Sequence, residues 1–445
     1  MPWSAPAGSK TRYGWNTPVT APGPQGSVML RNLREIQSSP LEFLEQTWRE
    51  HGDVVQFPIP RPATYLISSP EGAREVLVNQ HRVMSKRTVQ YSTLSLVTGE
   101  GLLTADTQAW KPVRRQLAPA FHHEMIALTQ GHVSSALQRL DQSWSQLTAN
   151  GSAIVDVDQE MMALALEITG AALFGSDLSG DAHSIGQATL RALHGVVVRA
   201  RSPLPVPLAI PTRSNRGMRA AIKELDFAVN RIIESRLANP LQPGAAPRDM
   251  LDVLLSQEVE QPLSIQQVRD EVATFIVAGH ETVASALTWS WKLLGSNQYE
   301  SDLLRQKPSR AGIVFDETLR LYPPAWVITR RTRQAIEIDG FEIPGDALLI
   351  VSPWVVHRNP TTWQTPKSFL PDRFADGAPM LGYLPFGAGP RLCIGREMAK
   401  LEAAMILEHI VQKWQLSPIH SSEVPIDASV TLRPVGGLPM RLKRI

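Results

Sequence analysis

The segment Phe386-Gly387-Ala388-Gly389-Pro390-Arg391-Leu392-Cys393-Ile394-Gly395 contains the only cysteine among 445 residues. Its glycines allow turns and a close approach of the backbone to a flat ligand. Met398, Leu401 and Met405 follow at helical spacing, which places Cys393 near a helix N-terminus. Unpaired N–H groups and the positive end of the helix dipole favour a thiolate there, and a thiolate on a glycine loop can ligate iron. The alternative is a small buried core cysteine.

The composition excludes several classes of function. Lys and Arg number 44 against 42 Asp and Glu, so the charge does not indicate a nucleic-acid partner. A single cysteine excludes an intrachain disulfide and any multi-cysteine zinc or iron–sulfur site. Residues 1–24 have neither the layout of a signal peptide nor the apolar length of a membrane span. We therefore expect a cytoplasmic protein without a transmembrane segment.

Hydrophobic periodicity predicts a mostly helical chain with minor antiparallel sheet. Val54–Phe57 and Thr64–Ile67 are short β-rich runs that indicate a small sheet near the start. From about residue 123, and again from Met218 to Ile232, apolar residues step by threes and fours, which predicts two amphipathic helices. Ile336–Ile343 alternates around Asp339-Gly340, a strong signal for a β-hairpin.

The clearest helix is predicted over residues 263–295. Ser264 and Gln267 form a capping box, with Leu263 and Val268 at the positions of a hydrophobic staple. Gly295 is the expected terminating residue. At 1.5 Å per residue such a helix is about 45 Å long, enough to cross the molecule.

The middle of this helix contains Ala278-Gly279-His280-Glu281-Thr282. Gly279 costs about 1 kcal/mol relative to alanine, so its presence needs a reason. Ala278, Gly279 and Thr282 share one face and would open a notch against a ligand, while Glu281 could feed protons to Thr282 through water. His280 points away from Thr282 and is expected to make a polar contact. The alternative is a helix crossing, with Thr282 bonded to its own backbone.

A second polar set is expected to be structural. Glu317 and Arg320 are three residues apart on a predicted helix that ends before Pro323-Pro324. Arg373 offers a second guanidinium that would complete a buried charge network. We expect Glu317, Arg320 and Arg373 to support the cysteine loop.

These motifs together resemble the cytochrome P-450 family of haem-thiolate monooxygenases, of the soluble bacterial type. Phe386-x-x-Gly389-x-Arg391-x-Cys393-x-Gly395 resembles the family's haem-binding signature. Ala278-Gly279-x-Glu281-Thr282 resembles its oxygen-activating segment, and Glu317-x-x-Arg320 its buried ion pair. Trp110-x-x-x-Arg114 is similar to the helix that reaches the haem propionates.

The resemblance implies a fold that is mainly α with small antiparallel β-sheets, in a single domain. Residues 1–21 would be a flexible N-terminal extension and residues 22–445 the haem domain. The stretch Gly295–Ser309 is short and polar for the family, which leaves the number of helices there open.

By the same resemblance, the cofactor is haem b and Cys393 is its axial iron ligand. Arg330 resembles a further propionate ligand, with Arg331 beside it. The other expected cofactor contacts are Arg391, Arg114, Trp110, Phe386, Gly387, Gly395, Ala278 and Gly279.

The implied activity is hydroxylation or epoxidation of a hydrophobic small molecule, with Thr282 and Glu281 as catalytic residues. A secondary metabolite such as a terpenoid or polyketide, or a fatty acid, fits a pocket of apolar residues. Oxidative coupling, desaturation, peroxide-driven oxidation and a non-catalytic haem sensor or carrier remain alternatives. The candidate pocket residues are Leu102, Leu103, Ala325, Trp326, Val327, Ile328, Thr431 and Leu432.

Electrons should come from separate proteins, because the chain is too short to add a flavin reductase to a haem domain. A ferredoxin with its ferredoxin reductase is the implied partner. Basic residues that the family places around its thiolate side would attract an acidic ferredoxin. They are Lys111, Arg114, Arg115, Arg396 and Lys400.

Overall fold

The computed structural model describes residues 12–13, 17–27, 33–59, 61–200, 206–242, 244–379, 381–419 and 423–445. The predicted extension of residues 1–21 therefore lies largely outside the described residues. The chain forms two compact units. The sheet unit comprises Met1–Thr88, Val327–Lys367 and Pro379–Leu392, and the helical unit comprises Val89–Trp326, Ser368–Ala378 and Cys393–Ile445.

Helices dominate the chain, and the strands are short. The α-helices are α1 Leu33–Ser38, α2 Pro40–His51, α3 Pro70–Arg74, α4 Val89–Thr98, α5 Thr107–Leu117, α6 His123–Leu147, α7 Val157–Phe174, α8 Ala182–Ala200, α9 Arg213–Ala238, α10 Met250–Leu255, α11 Ile265–Ser296, α12 Gln298–Gln306, α13 Ala311–Leu321, α14 Pro353–Val356 and α15 Arg396–Lys413. The strands are β1 Arg12–Tyr13, β2 Thr17–Pro18, β3 Val54–Phe57, β4 Thr64–Ile67, β5 Met84–Ser85, β6 Ser152–Asp156, β7 Ile328–Thr332, β8 Ile336–Ile338, β9 Phe341–Ile343, β10 Leu348–Val351, β11 Trp414–Pro418, β12 Ile426–Ala428, β13 Leu432–Pro434 and β14 Pro439–Arg444.

The sheet unit is built on a five-stranded sheet with the order β3-β4-β10-β7-β5. Its pairs are antiparallel except for β4 with β10, which is parallel. β3 and β4 have the predicted bounds, and all their residues are buried. Alternation is weak there because both faces of these strands are covered.

The predicted hairpin of the sheet unit is present as β8 and β9. Asp339 and Gly340 form its turn with φ values of 49° and 80°. Two successive residues in this left-handed region define the tight turn that matches strand twist, which is why Asp-Gly was informative. The Asp339 carboxylate also accepts a hydrogen bond from Ser69.

The helical unit is organised around α11, which has 32 residues. The predicted capping box is present: Ser264 Oγ accepts from Gln267 N at 3.3 Å, and Gln267 Oε1 accepts from Ser264 N at 2.9 Å. The helix ends one residue beyond Gly295. A Cβ at Gly295 would lie 2.7 Å from Met440 Cε, so this glycine allows close packing against β14 rather than ending the helix.

The two predicted amphipathic helices are α6 and α9, and their apolar faces are buried in the helical unit. The core of that unit gathers apolar residues from α7, α8, α9, α10 and α11. The stretch left open by the sequence contains α12, capped by Asn297, and a 3-10 turn at Pro308–Arg310.

The described fold is mainly α with small sheets, as predicted. Its one addition to the prediction is the parallel pair of β4 and β10. Among the described helices, none combines the length and the apolarity that crossing a bilayer requires.

Candidate active site

Cys393 lies three residues before the first residue of α15, with Gly395 at the N-cap position. Its side chain is exposed to solvent, although surrounding protein is dense enough for burial to raise the pKa of the thiol. The exposure shows that the sulfur is not enclosed in a core. The Gly395 backbone N–H and the charges of Arg114 and Arg396 lower the same pKa and favour the thiolate.

Trp110 and Arg114 lie four residues apart on α5, so they share one face of that helix. Trp110 is buried, and Arg114 is partly buried. Burial lowers the pKa of the Arg114 guanidinium, and the negative charge of Cys393 raises it. Arg114 and Cys393 therefore act on each other electrostatically.

Two adjacent arginines of β7, in the sheet unit, have different partners. Arg331 forms a two-pronged pair with Asp346, with Nε–Oδ1 at 2.6 Å and Nη2–Oδ2 at 2.8 Å. Arg330 is buried and donates to the Thr329 carbonyl at 2.9 Å. Among the described residues it has no ion pair. A buried guanidinium without an acid suits an anionic ligand, which favours Arg330 over Arg331.

The glycine segment of the sheet unit has two positions with left-handed backbone, Gly387 at φ 72° and Gly389 at φ 69°. A Cβ at Gly389 would lie 2.2 Å from the Leu77 carbonyl oxygen, so close packing on the backbone requires glycine there. At Gly387 the nearest atom is Ile328 Cδ1 at 3.8 Å, so only the backbone angle requires glycine. Phe386 and Arg391 are partly exposed.

The middle of α11 has a narrow accessible strip. Of residues 268–294, Arg269 and Lys292 near the ends and Ala278, Gly279 and Thr282 in the middle are partly exposed, and all others are buried. Thr282 Oγ1 donates to the Ala278 carbonyl at 2.8 Å. Its backbone bond is the one the helix-crossing alternative predicted, but the same hydroxyl oxygen retains its capacity to accept a hydrogen bond at the accessible strip.

Gly279 also lies at a helix crossing. A Cβ there would lie 3.0 Å from Thr169 Cγ2 on α7. The missing side chain therefore allows α7 and α11 to approach closely, and the predicted contact of Gly279 with the cofactor stays a prediction.

Glu281 is buried on the flank of this strip. Its Oε1 accepts from Thr431 Oγ1 at 2.9 Å. Burial raises the pKa of Glu281 to about 7, against the lowering effects of Arg433 and Thr431. Glu281 and Thr282 hydrogen-bond other partners among the described residues, so a proton transfer between them needs a bridging water.

The three residues of the predicted charge network meet within the helical unit. Glu317 and Arg320 are fully buried and form two hydrogen bonds of 2.7 and 2.9 Å. Glu317 Oε1 also accepts from Leu370 N at 2.9 Å and from Arg373 Nε at 3.3 Å. Arg320 donates to the Ser368 carbonyl at 3.0 Å. The network ties α13 to residues 368–373; its effect on the cysteine loop stays a prediction.

The candidate pocket residues divide by exposure. Ala325 is exposed, and Leu103, Trp326 and Val327 are partly exposed. The remaining four are buried, and three of them form fixed contacts: Leu102 N–H with Glu271, Thr431 with Glu281, and the Leu432 carbonyl with Ser285 and Trp289. The place of all eight residues in a substrate pocket stays a prediction.

Sequence reasoning missed the polar groups around Glu281. Asp158 on α7 and Arg433 on β13 form an ion pair there, and both act electrostatically on Glu281. They lie 123 and 152 residues from Glu281 along the chain, so no local spacing could have indicated them.

Comparisons with known proteins agree with the motifs. The family model for cytochrome P-450 matches residues 21–306 and 312–438. The chain is 32% identical to cyclooctatin synthase of Streptomyces melanosporofaciens, over 93% of each protein, and 30% identical to cyclooctat-9-en-7-ol 5-monooxygenase of the same organism, over 91% of the chain and 90% of that protein. It is similar to the crystal structure of CYP175A1 from Thermus thermophilus, with a TM-score of 0.77 and 32% identity, over 93% of this chain and 98% of that one. This chain belongs to the cytochrome P-450 family.

Proposed function

We propose that the protein is a haem b monooxygenase that uses dioxygen and two externally supplied electrons to hydroxylate or epoxidise a hydrophobic small molecule. The family and the fold imply a haem-thiolate cofactor. The observation that carries the proposal is the exposed sulfur of Cys393, with the Gly395 N–H and the Arg114 charge favouring its thiolate. A structural core cysteine would be enclosed and would not need either.

The residues present fit this cofactor. Cys393 would ligate the iron, and Arg114 and Trp110 would bind propionate. Arg330, buried without an acid partner among the described residues, and Arg391 resemble further propionate ligands. Once bound, the haem supplies the iron at which dioxygen is reduced and its O–O bond broken.

The accessible strip of α11 supports oxygenation rather than mere haem storage. Ala278 leaves room beside Thr282, whose hydroxyl oxygen is able to accept a hydrogen bond. Glu281 has a pKa raised to about 7 by burial, so near neutral pH it can both release and take up a proton. A haem carrier has no need for an acid of matched pKa beside a hydroxyl.

A terpenoid is the substrate class that the relatives support best. The two relatives from Streptomyces melanosporofaciens are named for cyclooctatin and cyclooctat-9-en-7-ol, which are terpenoid compounds. At about 30% identity we extend to this chain the compound class and not a particular compound. Leu103, Ala325 and Val327 present apolar surface, which suits such a substrate. A polyketide or a fatty acid would place the same demand on these residues.

We infer a ferredoxin, with its ferredoxin reductase, as the electron donor. Lys111 and Arg115 on α5 are exposed and have no ion pair among the described residues. Arg396 is paired with Glu397 at 2.6 Å and Lys400 with Asp316 at 2.9 Å. The charge available to an acidic partner is therefore concentrated at Lys111 and Arg115. The cytoplasmic location stays a prediction.

The test begins with the haem protein purified after expression with a haem precursor. Reduced protein treated with carbon monoxide should show the red-shifted Soret band typical of sulfur ligation, and Cys393→Ser should lose it. Turnover of a terpenoid alcohol under labelled dioxygen should place one labelled atom in the product. A colourless protein, an unshifted band or unlabelled product would contradict the proposal.

A further inference from the structure

The hairpin of β12 and β13 is fixed to α11 by three hydrogen bonds. The Leu432 carbonyl accepts from Ser285 Oγ at 2.6 Å and from Trp289 Nε1 at 2.9 Å. Thr431 donates to Glu281 at 2.9 Å. These contacts hold Arg433, the next residue of β13, beside the middle of α11.

One terminal nitrogen of the Arg433 guanidinium has a hydrogen-bond partner among the described residues, and the other has none. Its Nη2 pairs with Asp158 of α7, whose other oxygen accepts from Thr288 at 3.3 Å. Its Nη1 is buried and has no hydrogen-bond partner among the described residues. A buried N–H of a charged group that lacks a partner is unfavourable, so this donor needs an acceptor.

His280 provides an unsatisfied acceptor in the same cluster. Its Nδ1 bonds to the Ile276 carbonyl, which can only accept, so Nδ1 carries the proton. Burial lowers the pKa of His280 to about 4, and the Arg433 charge adds to this. The ring is neutral at pH 7, and its Nε2 is a buried lone pair with no partner in the described part of the chain.

We propose that Arg433 and His280 hold a buried water molecule, and that Arg433 with Asp158 positions Glu281 and its proton. This inference rests on the proposed role of Glu281 in proton delivery. The water would accept from Arg433 Nη1 and donate to His280 Nε2, which satisfies both orphan atoms with the partners that internal water requires.

The geometry of α11 places His280 and Thr282 on different sides of Glu281. Successive residues are about 100° apart on α11, so His280 and Thr282 lie on nearly opposite sides with Glu281 between them. When Glu281 releases its proton toward Thr282, the positive charge of Arg433 stabilises the resulting carboxylate. Asp427, exposed on β12, also acts electrostatically on Glu281 and marks the edge of the cluster nearest to solvent.

The first test titrates Glu281 by infrared spectroscopy of its protonated carbonyl, assigned with Glu281→Gln. The charges facing Glu281 are Arg433, Asp158 and Asp427, and Arg433 has the largest effect of the three. Arg433→Gln should raise the midpoint of the Glu281 titration by about one pH unit or more, because it removes the cation that favours the Glu281 carboxylate. Arg441→Gln, at an exposed site on β14, is the matched control and should leave the midpoint unchanged.

A double variant covers the possibility that Arg433→Gln does not fold. Asp158→Asn with Arg433→Gln removes both charges of the pair and should give a smaller rise in the midpoint. An unchanged midpoint in whichever variant folds overturns the inference.

The second test is a high-resolution crystal structure of the haem-loaded protein. It should show a water within hydrogen-bond distance of Arg433 Nη1 and His280 Nε2, and continuous absence of density there contradicts the proposal. If Glu281→Gln fails to alter the share of electrons lost as peroxide, the proposed proton delivery is wrong. If Glu281→Gln alters that share but Arg433→Gln leaves the Glu281 midpoint unchanged, only the inference about Arg433 is wrong.

Discussion

Glu317 on α13 and Glu281 on α11 are both buried glutamates of the helical unit, and they differ in their partners. Glu317 receives hydrogen bonds from two guanidinium groups and one backbone N–H. Glu281 receives one bond from a hydroxyl, and the nearby Arg433 is already paired with Asp158. A buried acid whose bonding capacity is filled by cations stabilises structure. One that is sparsely bonded can exchange a proton.

The largest expected effect is a loss of folding stability when Glu317 is removed from its charge network. Glu317→Ala leaves Arg320 buried without its counter-charge, which typically costs about 3–5 kcal/mol. That is a large part of the free energy of unfolding of an ordinary domain. Glu397→Ala, at an exposed acid paired with Arg396, should cost at most about 1 kcal/mol. Chemical denaturation of the two variants should show this difference, and equal losses would break the comparison.

The next largest effect is expected on the yield of product per electron, and not on the free energy of unfolding. Glu281→Gln keeps the shape of the side chain but cannot release a proton, so product formed per electron consumed should fall about tenfold or more while peroxide rises. The matched control is Glu271→Gln. Glu271 lies on the same helix, is buried, and has a pKa raised to about 7 by burial, but it accepts from the Leu102 N–H.

Glu271→Gln should leave the ratio of product to electrons unchanged. Equal uncoupling in both variants would show that any buried acid of α11 matters and would remove the special role of Glu281. Unaltered coupling in both would remove Glu281 from the reaction.

The comparison also explains how much was predictable from the sequence. The capping box of α11, the Asp-Gly turn and strands β3 and β4 depend on neighbouring residues, so local spacing predicted them correctly. The Glu317–Arg320 pair is likewise local, three residues apart on one helix. The bond from Thr431 to Glu281 joins residues 150 apart, and Gly279 depends on Thr169 of another helix. Such contacts depend on the packing of helices and hairpins, which periodicity does not encode.

A third buried glutamate sharpens the contrast, because among the described residues its Oε1 has no partner comparable to the Thr431 hydroxyl that bonds to Glu281. Glu402 on α15 is buried, and its Oε1 has no hydrogen-bond partner among the described residues. Burial alone raises the pKa of Glu402 to about 8. The folded state therefore holds a proton that the unfolded chain releases near pH 4.5, so this group lowers stability as the pH rises from about 4.5 through about 8.

Glu402→Gln removes that dependence while keeping a neutral side chain of the same shape. The variant should be more stable than the parent by about 1 kcal/mol or more at pH 9. At pH 5, where Glu402 is protonated, the two proteins should differ little. Denaturation curves at both pH values provide the measurement, and a stability difference that is the same at pH 5 and pH 9 would contradict the assigned titration.

The smallest expected effect is on the rate of reduction by a redox partner, and it depends on which surface charges are paired. Lys111 and Arg115 are four residues apart on one face of α5 and have no ion pair in the described part of the chain, whereas Lys400 is paired with Asp316. Lys111→Gln with Arg115→Gln should slow reduction by an acidic ferredoxin several-fold at low salt, because a surface charge acts mainly on the encounter rate. Lys400→Gln is the control and should have a weaker effect. Stopped-flow reduction at increasing ionic strength should bring all rates together, since salt screens exposed charges beyond about 10 Å. A rate that is insensitive to salt and to both substitutions would place the docking surface elsewhere.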